Sequence, residues 1–71
     1  MIKFTATYKY QNKDIVLRDI TIMVKDLHNV NIDDNFLYSL ARFAAALIQH
    51  IYNIPNFIFA SDIKIADLVI K

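Results

Sequence analysis

The chain has 71 residues, and 56% of them are apolar although glycine and cysteine are absent. Eight lysines and arginines stand against seven aspartates, which leaves a formal net charge of +1. This composition argues against intrinsic disorder and excludes a disulfide scaffold and a thiolate zinc site. It also lacks an apolar run long enough to span a membrane, and the first residues do not resemble a secretion signal. We expect one domain over residues 1–71 in a cytoplasmic protein without membrane contact.

The first element is predicted from residues 2–10, where apolar and polar side chains alternate. A period of two with β-branched and aromatic residues is typical of a half-buried strand. The polar stretch 11–14 then predicts a turn. Asn12 is the residue there that best tolerates a left-handed backbone, so we expect it to adopt one.

A second strand is predicted over residues 15–25, but its apolar side chains change face partway along. The change falls near Arg18 and Asp19. One extra residue in a strand reverses the face of everything beyond it, so a β-bulge at this point is one interpretation. The alternative is that Ile15 and Leu17 cover the surface of a partner.

The clearest periodicity lies in residues 34–53, where apolar side chains recur at spacings of three and four. Such a stripe predicts an amphipathic helix packed on a sheet. We expect Asp33 or Asp34 as its N-cap, and Pro55 prevents its continuation. The two columns of the predicted stripe are Phe36, Leu40, Phe43, Leu47 and Ile51, and Leu37, Ala41, Ala44, Ile48 and Tyr52.

The last segment, residues 57–70, is less regular because Ser61 and Asp62 interrupt its apolar pattern. We predict one long strand with an irregularity, or two short strands joined by a sharp turn at 60–62. The element order is therefore β-β-α-β, with a fourth short strand as the alternative. This order predicts a two-layer α+β domain with one helix on an antiparallel sheet.

Few residues could support catalysis or bind a metal. The absence of glycine excludes phosphate-binding loops, and there is neither a cysteine nucleophile nor a serine flanked by glycine. Too few other strong metal ligands lie near His28 at a recognised spacing, so we expect a solvated loop histidine rather than a metal ligand. Helix capping and the helix dipole explain Asp33, Asp34 and His50. We predict a protein that is not an enzyme and has neither cofactor nor metal.

Two groups of residues are predicted to form binding surfaces. Tyrosine and arginine are enriched at interface hot spots, and both occur on the outer face of the helix; ordinary solvent exposure with alanine as a helix former is the alternative. The predicted partner-binding residues are Tyr38, Arg42, Ala45 and Gln49. Apolar residues beyond the needs of the core predict an oligomer interface at Ile15, Leu17, Phe57 and Phe59.

These features predict a small protein–protein interaction module that forms a dimer, because a short chain without disulfides often gains stability by oligomerising. A monomer with an apolar surface is the alternative. The many residues with AT-rich codons suggest an AT-rich bacterium or its phage, and hence an inhibitor or modulator of a host protein. A nucleic-acid-binding accessory protein is the second hypothesis, with Lys3 and Lys9 on phosphates and Tyr8 and Tyr10 on bases. A core position is favoured for both tyrosines.

Overall fold

The computed structural model of the protein describes residues 1–25 and 31–71. Strand β1 spans Ile2–Tyr10, strand β2 Lys13–Ile22, helix α1 Asp34–Ile51 and strand β3 Ile63–Ile70. The strands form an antiparallel sheet in the order β2-β1-β3, and α1 packs on one face of it. The predicted α+β class and β-β-α-β order are confirmed. The prediction for His28 lies outside the described residues.

The segment before β3 differs from both forms of the prediction for residues 57–70, one long strand or two short ones. A single turn of 3-10 helix occupies Ala60–Asp62, at the predicted break, and residues 57–59 are not in a strand. The described part of the chain therefore has three strands and no fourth. None of its helices is long and apolar enough to cross a membrane.

A two-residue turn joins β1 to β2. Gln11 and Asn12 form it, with φ of 50° and 64°, between the paired residues Tyr10 and Lys13. Two consecutive left-handed residues are the mark of a type I′ turn, whose twist matches that of the flanking strands. The left-handed conformation expected at Asn12 is confirmed, and Gln11 shares it.

The predicted β-bulge in β2 is also confirmed. The register between β1 and β2 shifts between Phe4 and Ala6, and Asp19 has a φ of 60° at the irregularity. The bulge brings Ile15 and Leu17 to the helix side of the sheet, where both are half-buried against the core. The bulge therefore explains their change of face without contact with a partner.

A second bulge lies on the other side of β1. The register between β1 and β3 shifts between Lys3 and Thr5, and Asp67 has a φ of 54° there. Both outer strands thus carry an extra residue opposite the same short stretch of β1. A bulge bends its strand and interrupts its ladder, so the sheet is irregular on both sides of Thr5.

The core lies between α1 and the helix-facing side of the sheet. Phe4, Ile2 and Ile48 are its largest fully buried side chains. The buried helix residues are Leu40, Ala41, Ala44, Ala45 and Ile48. The predicted stripe is wrong at Leu37, Phe43, Ile51 and Tyr52, which are exposed. The buried stripe is rotated, because Ala45 from the predicted outer face is buried whereas Phe43 is not. Three short alanine side chains let the helix approach its neighbours closely, and this closeness decides which side is buried.

Local hydrogen bonds define both ends of α1. At the start, the Asp33 carboxylate accepts a hydrogen bond from the Phe36 backbone N–H at 2.9 Å, which confirms the predicted N-cap. At the end, Asn53 has a φ of 56°, and the Ile54 N–H donates to the Gln49 carbonyl at 3.1 Å. These are the features of a Schellman cap. The cap returns Ile54 to the core, where it is buried.

Candidate functional site

A groove lies between α1 and the segment that leads into β3. It is open to solvent and has a volume of about 170 Å³. Helix residues form one wall and the segment before β3 forms the other. We call it the aromatic groove, and its residues are Tyr38, Arg42, Ala45, Ala46, Gln49, Phe57, Ile58, Phe59 and Ala60.

Two phenylalanines of this groove are exposed because the backbone there is extended and successive side chains point alternately to the core and to solvent. Ile58 is buried in the core, whereas Phe57 and Phe59 on either side of it are 71% and 59% exposed. The two rings meet edge to face, with centroids 5.1 Å apart and an interplanar angle of 76°. This is a favourable aromatic arrangement, so the pair forms one ordered apolar surface held in place by Ile58.

The helix wall contains the residues predicted to bind a partner. Tyr38 and Arg42 are exposed, and Gln49 is half-buried. Ala45 was expected on the exposed face but is only 5% exposed, so it forms the floor of the groove. Its burial follows from the rotation of the helix and from Ile58, which lines the same groove.

The structure therefore brings together residues that the sequence placed in two separate groups. Tyr38, Arg42 and Gln49 from the predicted partner surface line the same groove as Phe57 and Phe59 from the predicted oligomer interface. Ile15 and Leu17 lie elsewhere, half-buried at the core. Sequence patterns missed Ala60 as a groove residue, because nothing local shows that the chain returns alongside the helix.

The apolar surface continues from the aromatic groove towards β3. A second, shallower groove of about 510 Å³ shares Tyr38 and Ala60 with it and runs between α1 and β3. Its charged residues are Asp34 and Asp67. Its apolar lining comes from Leu37, Ala41, Ile63, Ile65, Ala66 and Leu68. One side of the molecule thus presents a continuous, mainly apolar surface.

The opposite face of the sheet is polar, with charges of both signs. Lys9 and Lys64 line a pocket together with Asp14 and Asp62. Nucleic-acid surfaces usually show a basic excess, and this part of the face has equal numbers of cations and anions.

The two tyrosines of β1 do not belong to that polar face. Tyr8 and Tyr10 are half-buried against the core, with ring centroids 6.3 Å apart and planes 23° from parallel. Their favoured placement at the core is confirmed. Bases could not stack on these rings and reach the lysines of the other sheet face at the same time.

The described residues also bear on metal binding. Within residues 1–25 and 31–71, no three acidic, histidine or cysteine side chains are grouped so as to hold a metal ion. His50 is exposed in the last turn of α1. No protein-family model, curated protein or solved structure matches the chain.

Proposed function

We propose that this chain is a small, non-enzymatic protein–protein interaction module with two contacts at the aromatic groove. It self-associates through the wall formed by Phe57 and Phe59 and binds another protein through the helix wall with Tyr38 and Arg42. The observation that carries the proposal is the exposed pair Phe57 and Phe59 beside Tyr38 and Arg42. Aromatic residues and arginine are enriched at protein interfaces. Apolar patches that are contiguous and exposed commonly mark such interfaces.

The size of the aromatic pair gives a scale for its contribution. A phenylalanine buries about 150–250 Å² when covered, and Phe57 and Phe59 retain 71% and 59% of their exposure. Covering both removes roughly 250 Å² of apolar surface, or about 6 kcal/mol at 25 cal/mol per Å². Association itself costs about 4–15 kcal/mol, so the pair supplies a large part of the required gain and the rest must come from the surface around it.

A dimer formed through the aromatic groove is favoured over one formed by joining sheet edges. Both outer strands carry a bulge, at Asp19 in β2 and at Asp67 in β3. Bulges interrupt the backbone ladder that edge-to-edge pairing requires and are a common protection against it. We assign the dimer contact to Phe57 and Phe59 and the contact with the second protein to Tyr38 and Arg42.

Self-association is tested by light scattering coupled to size exclusion. We expect a mass near twice 8.3 kDa at high concentration, and a shift to the monomer mass in a Phe57→Ser, Phe59→Ser variant. Met23→Ser is the matched control, because Met23 is 80% exposed but lies outside the groove. A monomeric wild-type protein would show that the self-association proposal is wrong.

The second protein is tested by affinity purification from the native host followed by mass spectrometry. A Tyr38→Ala, Arg42→Ala variant should fold normally by circular dichroism and lose the captured protein. A Ser39→Ala, His50→Ala variant, altered at exposed positions of α1 outside the groove, should retain it. Equal capture by both variants would mean that the helix wall is not the binding surface.

The finer proposal is an inhibitor or modulator of a host protein, encoded by a phage or mobile element. Its support is the small size of the chain and its many residues that have AT-rich codons. It is tested by assaying the captured protein with and without this chain. Tight DNA or RNA binding that weakens steeply with salt would instead favour the nucleic-acid hypothesis.

A further inference from the structure

A second cavity lies on the sheet face opposite α1, next to the stretch of β1 that is flanked by the two bulges. Its volume is about 430 Å³, which is within the usual range for sites that hold small molecules. We call it the Thr5 pocket, and its polar residues are Lys3, Thr5, Arg18, Asp19, Asp67 and Lys71. It shares no residue with the aromatic groove.

Thr5 is the buried polar residue of this pocket. It lies in the central strand and is only 8% exposed, yet its hydroxyl has no hydrogen bond to another described residue. Among the described residues, no fully buried side-chain oxygen or nitrogen lacks a partner. The Thr5 hydroxyl therefore keeps contact with solvent, and it is available to a molecule in the pocket.

The backbone on both sides of Thr5 adopts a left-handed conformation at a bulge. Asp19 and Asp67 have φ values of 60° and 54°, which aspartate tolerates better than most L-residues. Left-handed residues other than glycine tend to cluster at ligand sites, and bulges near such sites redirect side chains. Here the two bulges place an aspartate from each outer strand in the lining of the same pocket.

The charges of the pocket indicate what it would bind. Lys3, Arg18 and Lys71 exceed the two aspartates by one charge. The Lys3 ammonium lies 3.5 Å from the Asp19 carboxylate, a loose and solvent-exposed pair. Arginine and lysine beside a hydroxyl donor suit a phosphate or carboxylate. The Asp67 carboxylate can accept hydrogen bonds from neutral hydroxyl groups.

We propose that the Thr5 pocket binds a small hydroxylated molecule that carries a phosphate or carboxylate group. The oxyanion lies between Lys3, Arg18 and the Thr5 hydroxyl, and the hydroxyl groups of the ligand lie towards Asp67. This site goes beyond the proposed interaction module, because the Thr5 pocket and the aromatic groove share no residue.

The test is a titration of the full chain followed by ¹⁵N NMR, with glycerol 3-phosphate, glycerate and glycerol as probes at matched ionic strength. We expect saturable shifts around Thr5, Asp19 and Asp67 with the two anionic probes, at millimolar concentration or below. Glycerol alone should bind at least tenfold more weakly. Binding by neither anionic probe, or equal binding by glycerol, would overturn the proposal.

Variants separate this site from general attraction of anions. Arg18→Gln and Thr5→Val should each weaken glycerol 3-phosphate binding, about tenfold for the arginine, because each removes a hydrogen bond to the oxyanion. Lys9→Gln is the matched control, since it removes one positive charge from β1, the strand of Thr5, outside the pocket. Lys3→Gln replaces Arg18→Gln if that variant does not fold. An equal loss in Lys9→Gln would show only nonspecific attraction and overturn the assignment.

Discussion

Replacing Gln11 by glycine should stabilise the protein, although it removes a side chain. Gln11 is exposed and has a φ of 50° in the β1–β2 turn. A left-handed L-residue costs about 1–2 kcal/mol, whereas glycine loses about 0.5–1 kcal/mol of additional backbone entropy on folding. The difference predicts a net gain of about 0.5–1 kcal/mol. For a domain of this length this corresponds to a rise of roughly 2–8 °C in Tm.

The measurement is thermal and urea unfolding followed by far-ultraviolet circular dichroism at one fixed protein concentration, because association shifts apparent stability. Lys13→Gly is the matched control: Lys13 is also exposed and adjoins the turn, but its φ is not positive. We expect that control to lose about 0.5–1 kcal/mol. If Gln11→Gly lowers Tm as Lys13→Gly does, the type I′ turn is wrong.

Three other predictions concern the helix and its ends. Ile48→Ala, at a fully buried position, should lower the free energy of unfolding in urea by about 2–5 kcal/mol, against about 0.5–1.5 for Ile48→Val; similar values for both would place Ile48 outside the core. Asp33→Ala should cost about 1 kcal/mol by the same measurement and Asp33→Ser much less; equal losses would argue against side-chain capping. Asn53→Gly should raise Tm and Asn53→Ala should lower it, and the opposite order would contradict the left-handed cap.

Features that depend on neighbours along the chain could be predicted from the sequence. The alternation of β1, the N-cap at Asp33 and the change of face near Asp19 each need only a short window of residues. The bulge at Asp67 was harder. Asp67 breaks the alternation of β3, but the three apolar residues after it fit either face, so the pattern does not show where the extra residue lies.

The aromatic groove could not be predicted because it depends on how the helix is rotated on the sheet. Alanine suits a buried or an exposed helix position, so the sequence does not decide the side of Ala45. The structure decides it through Ile54 and Ile58, which are buried beyond the end of the helix. Residues 57–59 were assigned to a strand for a similar reason, since their apolar character fits a strand as well as an extended segment beside a helix.

Because the chain has no glycine, every left-handed position in it is held by another residue type. Five described residues have positive φ: Gln11, Asn12, Asp19, Asn53 and Asp67. Chain reversal explains three of them, because Gln11 and Asn12 form the hairpin turn and Asn53 ends the helix. Asp19 and Asp67 lie within strands, where no reversal requires a left-handed residue. They line the Thr5 pocket together with Arg18. The bulges protect the sheet edges from pairing, and the one in β2 also sets the face of Ile15 and Leu17. Left-handed residues other than glycine are common at ligand sites as well, and the ligand titration decides whether these two bulges also form one.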